Sequence, residues 1–152
     1  SSAELTELLA SYDAAKIGAG FNSPRDAKLR IPVYVSDTMD DALKTPKAGL
    51  MFRYESAMQI LQNMVASGQA NNLGERAERI RQLGKLEWED IYNSEKAIIG
   101  TPDVVADKIK EIGNQLQLSG MVLEFNPGER LPEEKINRSL ELFCEKVIPK
   151  FK

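Results

Sequence analysis

Ile98-Ile99-Gly100-Thr101-Pro102-Asp103 opens the stretch that decides the fold; Gly120-Met121-Val122-Leu123-Glu124-Phe125-Asn126-Pro127-Gly128 continues it, and Val147-Ile148-Pro149 closes it. After the apolar pair Ile98-Ile99, three helix-start rules agree: Thr101 as N-cap, Pro102 at the first helical position and Asp103 in the first turn. Val105, Ile109, Ile112 and Leu116 follow at helical spacing and form the buried stripe of that helix. Met121-Val122-Leu123 is a short unbroken apolar run, as expected of a parallel strand covered on both faces. A last helix, capped near Pro132-Glu133, places Ile136, Leu140, Phe143 and Val147 on one face and ends before Pro149. A helix feeding a strand that runs into a polar, Gly- and Pro-containing loop and then another helix is the repeating unit of an α/β barrel. Such barrels place their chemistry in the loops after the strands.

Upstream, Leu29, Ile31, Val33 and Val35 alternate with Arg30, Pro32 and Tyr34, which predicts a strand over Lys28 to Ser36. Pro32 has no N–H to donate and points to a sheet edge or an irregular start. The strand runs into Ser36-Asp37-Thr38, where Asp37 or Thr38 caps a helix continuing through Asp40, Asp41, Ala42 and Leu43. Before it, Leu5, Leu8, Leu9, Tyr12 and Ala15 mark one apolar face of a helix over Ser2 to Ile17, stopped by Gly18 and Gly20.

Residues 45–92 read as a helical insertion. Pro46 opens a helix with a broad apolar face, Leu50, Met51, Tyr54, Met58, Ile60, Leu61, Met64 and Val65, that reaches Ser67-Gly68. Its methionines read as core filler. A polar turn over Gln69 to Gly74 precedes a solvated helix with alternating charges, Arg76, Glu78, Arg79 and Arg81. The single tryptophan, Trp88, is expected to pack a short helix or turn against the rest.

A chain of 152 residues with 42% hydrophobic content is expected to form a single domain over 1–152. The formal net charge of −3 gives no footprint for nucleic acid or an anionic membrane, and no apolar run approaches a membrane span. The N-terminus lacks a basic-then-apolar signal, so the expected location is cytoplasmic. With no histidine, His-based acid–base chemistry, Ser-His and Cys-His pairs and His-containing metal sites are excluded for the chain alone. No Asp-x-Asp-x-Asp loop appears, and no metal is expected. Cys144, the only cysteine, falls at helical spacing with Leu140 and Val147 and reads as a buried small hydrophobe.

The ordered series of Gly100-Thr101-Pro102, a helix, a short strand, the Gly128-containing loop and a helix ending in Val147-Ile148-Pro149 resembles the C-terminal end of the bacterial luciferase-like, flavin-dependent monooxygenases. In that resemblance Lys28 to Ser36 corresponds to the seventh barrel strand. A (β/α)₈ barrel needs roughly 200 residues or more. The implied fold class is therefore α/β and helix-rich: an incomplete (β/α)₈ barrel fragment, its last two βα units plus the 45–92 insertion. The resemblance implies reduced FMN at the mouth of the strands, O₂ activated as a flavin peroxide, and a flavin reductase as electron source. It places cofactor contacts at Ser36, Asp37 and Thr38 after one strand and at Glu124, Asn126 and Gly128 after the other; no catalytic residue is assigned. A strand-end acid bonded to its neighbours is an equal reading of Glu124, and turn chemistry comes first for Asn126 and Gly128. Alone, such a chain is expected to be catalytically incompetent and to pair its strands by self-association or with the missing barrel half. A non-catalytic flavin-binding or assembly module, or a purely structural helical domain, are the other classes the residues allow.

Overall fold

The computed structural model describes residues 2–68 and 74–152, in which three parallel strands alternate with helices. β1 is Lys28–Val35, β2 Ile98–Gly100 and β3 Gly120–Glu124, in the spatial order β2-β1-β3. The helices are α1 Ser2–Gly18, α2 Met39–Lys44, α3 Lys47–Ala66, α4 Gly74–Leu83, α5 Trp88–Tyr92, α6 Pro102–Leu116 and α7 Glu133–Leu142. The architecture is mixed α/β, helix-rich, around a small parallel sheet. Of the turn expected over Gln69 to Gly74, Gln69 to Leu73 lie outside the described residues, and Gly74 opens α4.

Two strand expectations change. Ile98-Ile99, read as an apolar pair, is itself a strand; three residues are too few to show a period. Pro32 predicts an edge or an irregular start, yet β1 is central and continues through it from Lys28 to Val35. Lys28 to Pro32 pair with Gly120 to Glu124, whereas Val33 to Val35 pair with Ile98 to Gly100. Pro32 thus stands where one ladder ends and the other begins, the position in a central strand at which a missing donor disrupts least.

Alternation along β1 divides the molecule into two cores. Ile31, Val33 and Val35 pack with Ile98, with Val105, Ala106, Ile112 and Leu116 of α6, and with Leu142 and Val147 after the last strand. On the other side Ile99 packs with Ala42, Leu50, Trp88, Ile91 and Ala97, so the insertion closes a second core. Each buried Ile, Leu or Val contributes roughly 1.5 to 3 kcal/mol relative to exposure. Trp88 fulfils its packing role: it is buried in α5 with its ring 5.6 Å from that of Tyr92.

Elsewhere the apolar faces are narrower than the sequence pattern. In α1 only Leu5 and Leu9 reach the first core, while Leu8, Tyr12 and Ala15 are exposed. In α3 Leu50 and Leu61 are buried, but Ile60 and Val65 are exposed. Val122 is 50% exposed, because edge strand β3 is covered on one face at that point rather than on both. Thr101 occupies the N-cap of α6 as expected, through its backbone carbonyl and without a side-chain bond.

The last helix departs furthest. Its buried positions are Ser139, Leu142 and Val147, with Ile136 and Phe143 half-buried and Leu140 38% exposed. The helix widens into a π-type turn over Phe143–Val147, and the Ile148 N–H donates to the Phe143 carbonyl. One wide turn therefore carries the core face from Leu142 to Val147, a five-residue step that a regular 3.6 period does not anticipate. The same shift leaves Cys144 exposed rather than buried. Pro149 falls in a closing 3₁₀ turn, Ile148–Phe151, instead of after the helix.

Candidate functional site

The loops that follow β1 and β3 lie at the C-terminal end of the sheet, where barrel chemistry is expected. After β1, the Ser36 N–H donates to the Gly100 carbonyl at 3.0 Å, which extends the ladder by one residue. The Ser36 hydroxyl donates to Asp41 Oδ2 at 2.6 Å. Thr38 is the N-cap of α2, and its Oγ1 accepts the Asp41 N–H at 3.2 Å. Asp37 points outward. Its carboxylate takes both forks of Arg138 at 3.0 Å and lies 3.9 Å from Lys146.

The Ser36 and Thr38 side chains meet at Asp41, a residue that the sequence shows only as a first-turn acid. Asp41 Oδ2 also accepts the Tyr34 hydroxyl at 3.2 Å; Oδ1 accepts Thr45 Oγ1 at 2.8 Å and Lys135 Nζ at 2.9 Å. Burial pushes the Asp41 carboxyl upward, but the bonds from Ser36, Lys135 and Thr45 outweigh it and hold the group well below the usual carboxylate range. Burial, reinforced by the Asp41 charge, pushes the Tyr34 phenol up to about 12. Asp41 is thus a fixed anion that ties β1, α2 and α7 together.

After β3, Glu124 lies between Arg30 Nη2 at 2.5 Å and Arg53 Nη1 at 2.7 Å. Burial pushes its carboxyl up, and the two guanidiniums more than reverse this, so it titrates below the usual range. Asn126 does turn chemistry: its Oδ1 accepts the Leu131 N–H at 3.2 Å and its carbonyl accepts the Glu129 N–H at 3.1 Å. Gly128 adopts φ +79°, a left-handed conformation that disfavours side chains, and it lies against α3.

The structure therefore brings Ser36, Asp37 and Thr38 into one loop and Glu124, Asn126 and Gly128 into the other. Among the described residues no hydrogen bond or ion pair joins the two sets directly. α7 links the β1 loop instead, through Lys135 to Asp41, Arg138 to Asp37, and Ser139 to the backbone of Val35. The signal in the sequence is polar residues at i, i+3 and i+4 on one helix face, Lys135, Arg138 and Ser139, which by itself names no partner. Asp37 and Glu124, the charged members of the six, are both acids. By themselves these residues do not suit a flavin phosphate, and no chemical step through the cofactor follows from them. Among the described residues no group of three or more His, Cys, Asp or Glu is placed to hold a metal. None of their helices is long and apolar enough to cross a membrane.

No family model matches the chain, and no curated protein matches it in sequence. In structure the chain shares its fold with part of a larger solved protein. It is similar to the crystal structure of monooxygenase RslO1 from Streptomyces bottropensis, with 22% identity and a TM-score of 0.56, over 99% of this chain and 39% of that one. The chain spans about two fifths of that protein's length, 39% of it, and at this identity the likeness is one of fold.

Proposed function

We propose that the chain is the C-terminal part of an FMN-dependent, luciferase-like monooxygenase, incompetent by itself and completed by the missing barrel half. A separate flavin reductase supplies the reduced flavin in this reading. One observation carries it: the likeness to a monooxygenase extends over 99% of this chain but only 39% of that larger protein. The parallel sheet, with a helix after each strand, is consistent with the same origin.

Flavin titration of the isolated chain tests the proposal together with oxygen uptake in the presence of reduced FMN. Fixing a ligand costs nearly the same entropy whether its site is whole or partial, so binding is expected to be at best roughly millimolar, with no turnover. The coding region preceding Ser1 is expected to encode the rest of a barrel, and the extended protein to bind FMN and consume oxygen. A micromolar constant for the chain alone, weakened by Glu124→Ala, would make it a self-sufficient flavin module instead.

A structural or assembly role is favoured by one feature: the Ser36, Asp37 and Thr38 side chains are all engaged within the fold. Absence of flavin binding in the extended protein would select that role.

A further inference from the structure

Arg30 on β1, Arg53 on α3 and Glu124 at the end of β3 meet on the sheet face opposite the first core. Strand alternation puts them there. Arg30 stands beside Val122 and Pro32 beside Glu124 in the ladder, so Arg30, Val122 and Glu124 share one face. Glu124 offers one carboxylate oxygen to each arginine and is 17% exposed, whereas the Arg30 and Arg53 side chains are 69% and 41% exposed. The acid lies beneath, and the arginines reach toward solvent.

Two cations and one anion leave the cluster one positive charge in excess. A guanidinium has five N–H donors in a planar fork, and among the described residues neither arginine has a second carboxylate partner. A third guanidinium, Arg130, lies 3.6 Å over the ring of Phe52, the residue preceding Arg53. Beside the cluster, half-exposed Val122 provides an apolar floor.

The geometry points to a binding site for a small oxyanion carried on an apolar or aromatic body, with Arg30 and Arg53 as its donors and Val122 beneath the body. Surplus charge, planar donor forks and adjoining apolar surface together select that class, because guanidinium forks match carboxylate and phosphate oxygens. Glu124 is a positioning residue: it holds the two arginines at one place and competes with the ligand for their donors. This site does not depend on the flavin reading.

The test is titration of the whole chain with phenyl phosphate and with benzoate, following the arginine side-chain N–H resonances. Saturable shifts at Arg30 and Arg53 are expected, weakened about tenfold or more in Arg30→Met and in Arg53→Met. Glu124→Gln removes the competing charge and is expected to tighten binding. Tighter phenyl phosphate assigns a phosphate monoester, tighter benzoate a carboxylate. Failure of both to saturate overturns the site, as does unchanged binding in Arg30→Met or loss of binding in Glu124→Gln. Arg30 is exposed enough that its variant should fold, which circular dichroism checks. Phenyl phosphate binding by the chain, with no FMN binding by the extended protein, leaves this site standing while the flavin reading falls.

Discussion

The backbone N–H of Val35, at the end of the central strand, donates to the hydroxyl of Ser139 at 2.8 Å, and Ser139 is fully buried. This bond fixes the rotation of α7 against the sheet. Ser139→Ala leaves a buried donor without its partner and is expected to cost about 1 to 3 kcal/mol. Urea titration measures it, and a loss within about 0.5 kcal/mol, as for a surface change, would contradict the role.

The π-type turn makes a second expectation sharp. Leu142 has no exposed surface and Leu140 is 38% exposed, so Leu142→Ala should cost about 2 to 5 kcal/mol and Leu140→Ala considerably less. Equal losses would refute the observed helix rotation.

Gly128 and Gly49 bring the β3–α7 loop against α3. A Cβ at Gly128 would stand 2.1 Å from the Gly49 carbonyl oxygen, and φ there is +79°. Both atoms at fault are backbone or rigidly attached to it, so the loop must move. Gly128→Ala is expected to destabilise the chain by more than about 1 kcal/mol, read as a fall in the urea midpoint.

Asp41 predicts a pH dependence. Its carboxyl is held below the ordinary aspartate value of 3.8 in the folded state, so as pH falls the unfolded chain takes up this proton first. The stabilisation is fully present above about pH 4 and is lost as pH falls from there toward the folded-state value. Asp41→Asn should therefore lower the urea midpoint at pH 6 and flatten its decline toward pH 3. An unchanged pH profile in the variant would remove Asp41 from this role.

β3 is an edge strand with Val122 half exposed on one face, and an unpaired edge is a template for another strand. Concentration-dependent association is expected in sedimentation, reduced by Val122→Lys. A stable monomer at high concentration in both proteins would count against pairing through this edge.

Local chemistry is what the sequence determined by itself. Thr101-Pro102-Asp103 starts α6, the β-branched alternation from Leu29 to Val35 makes β1, and a cap at Asp37 or Thr38 opens α2, because each signal lies within a few residues of what it specifies. Tertiary structure decided everything that depends on a distant neighbour. Ile98 to Gly100 becomes a strand only because Val33 to Val35 offer a ladder. Leu142 replaces Leu140 in the core because Ser139 bonds Val35 and the helix then widens. Glu124 acquires Arg30 and Arg53, which stand 94 and 71 residues away along the chain, and Asp41 acquires Lys135, 94 residues away. Hydrophobic period records which side chains favour burial, whereas charge pairing depends on which elements meet, and that is set by how the whole chain packs.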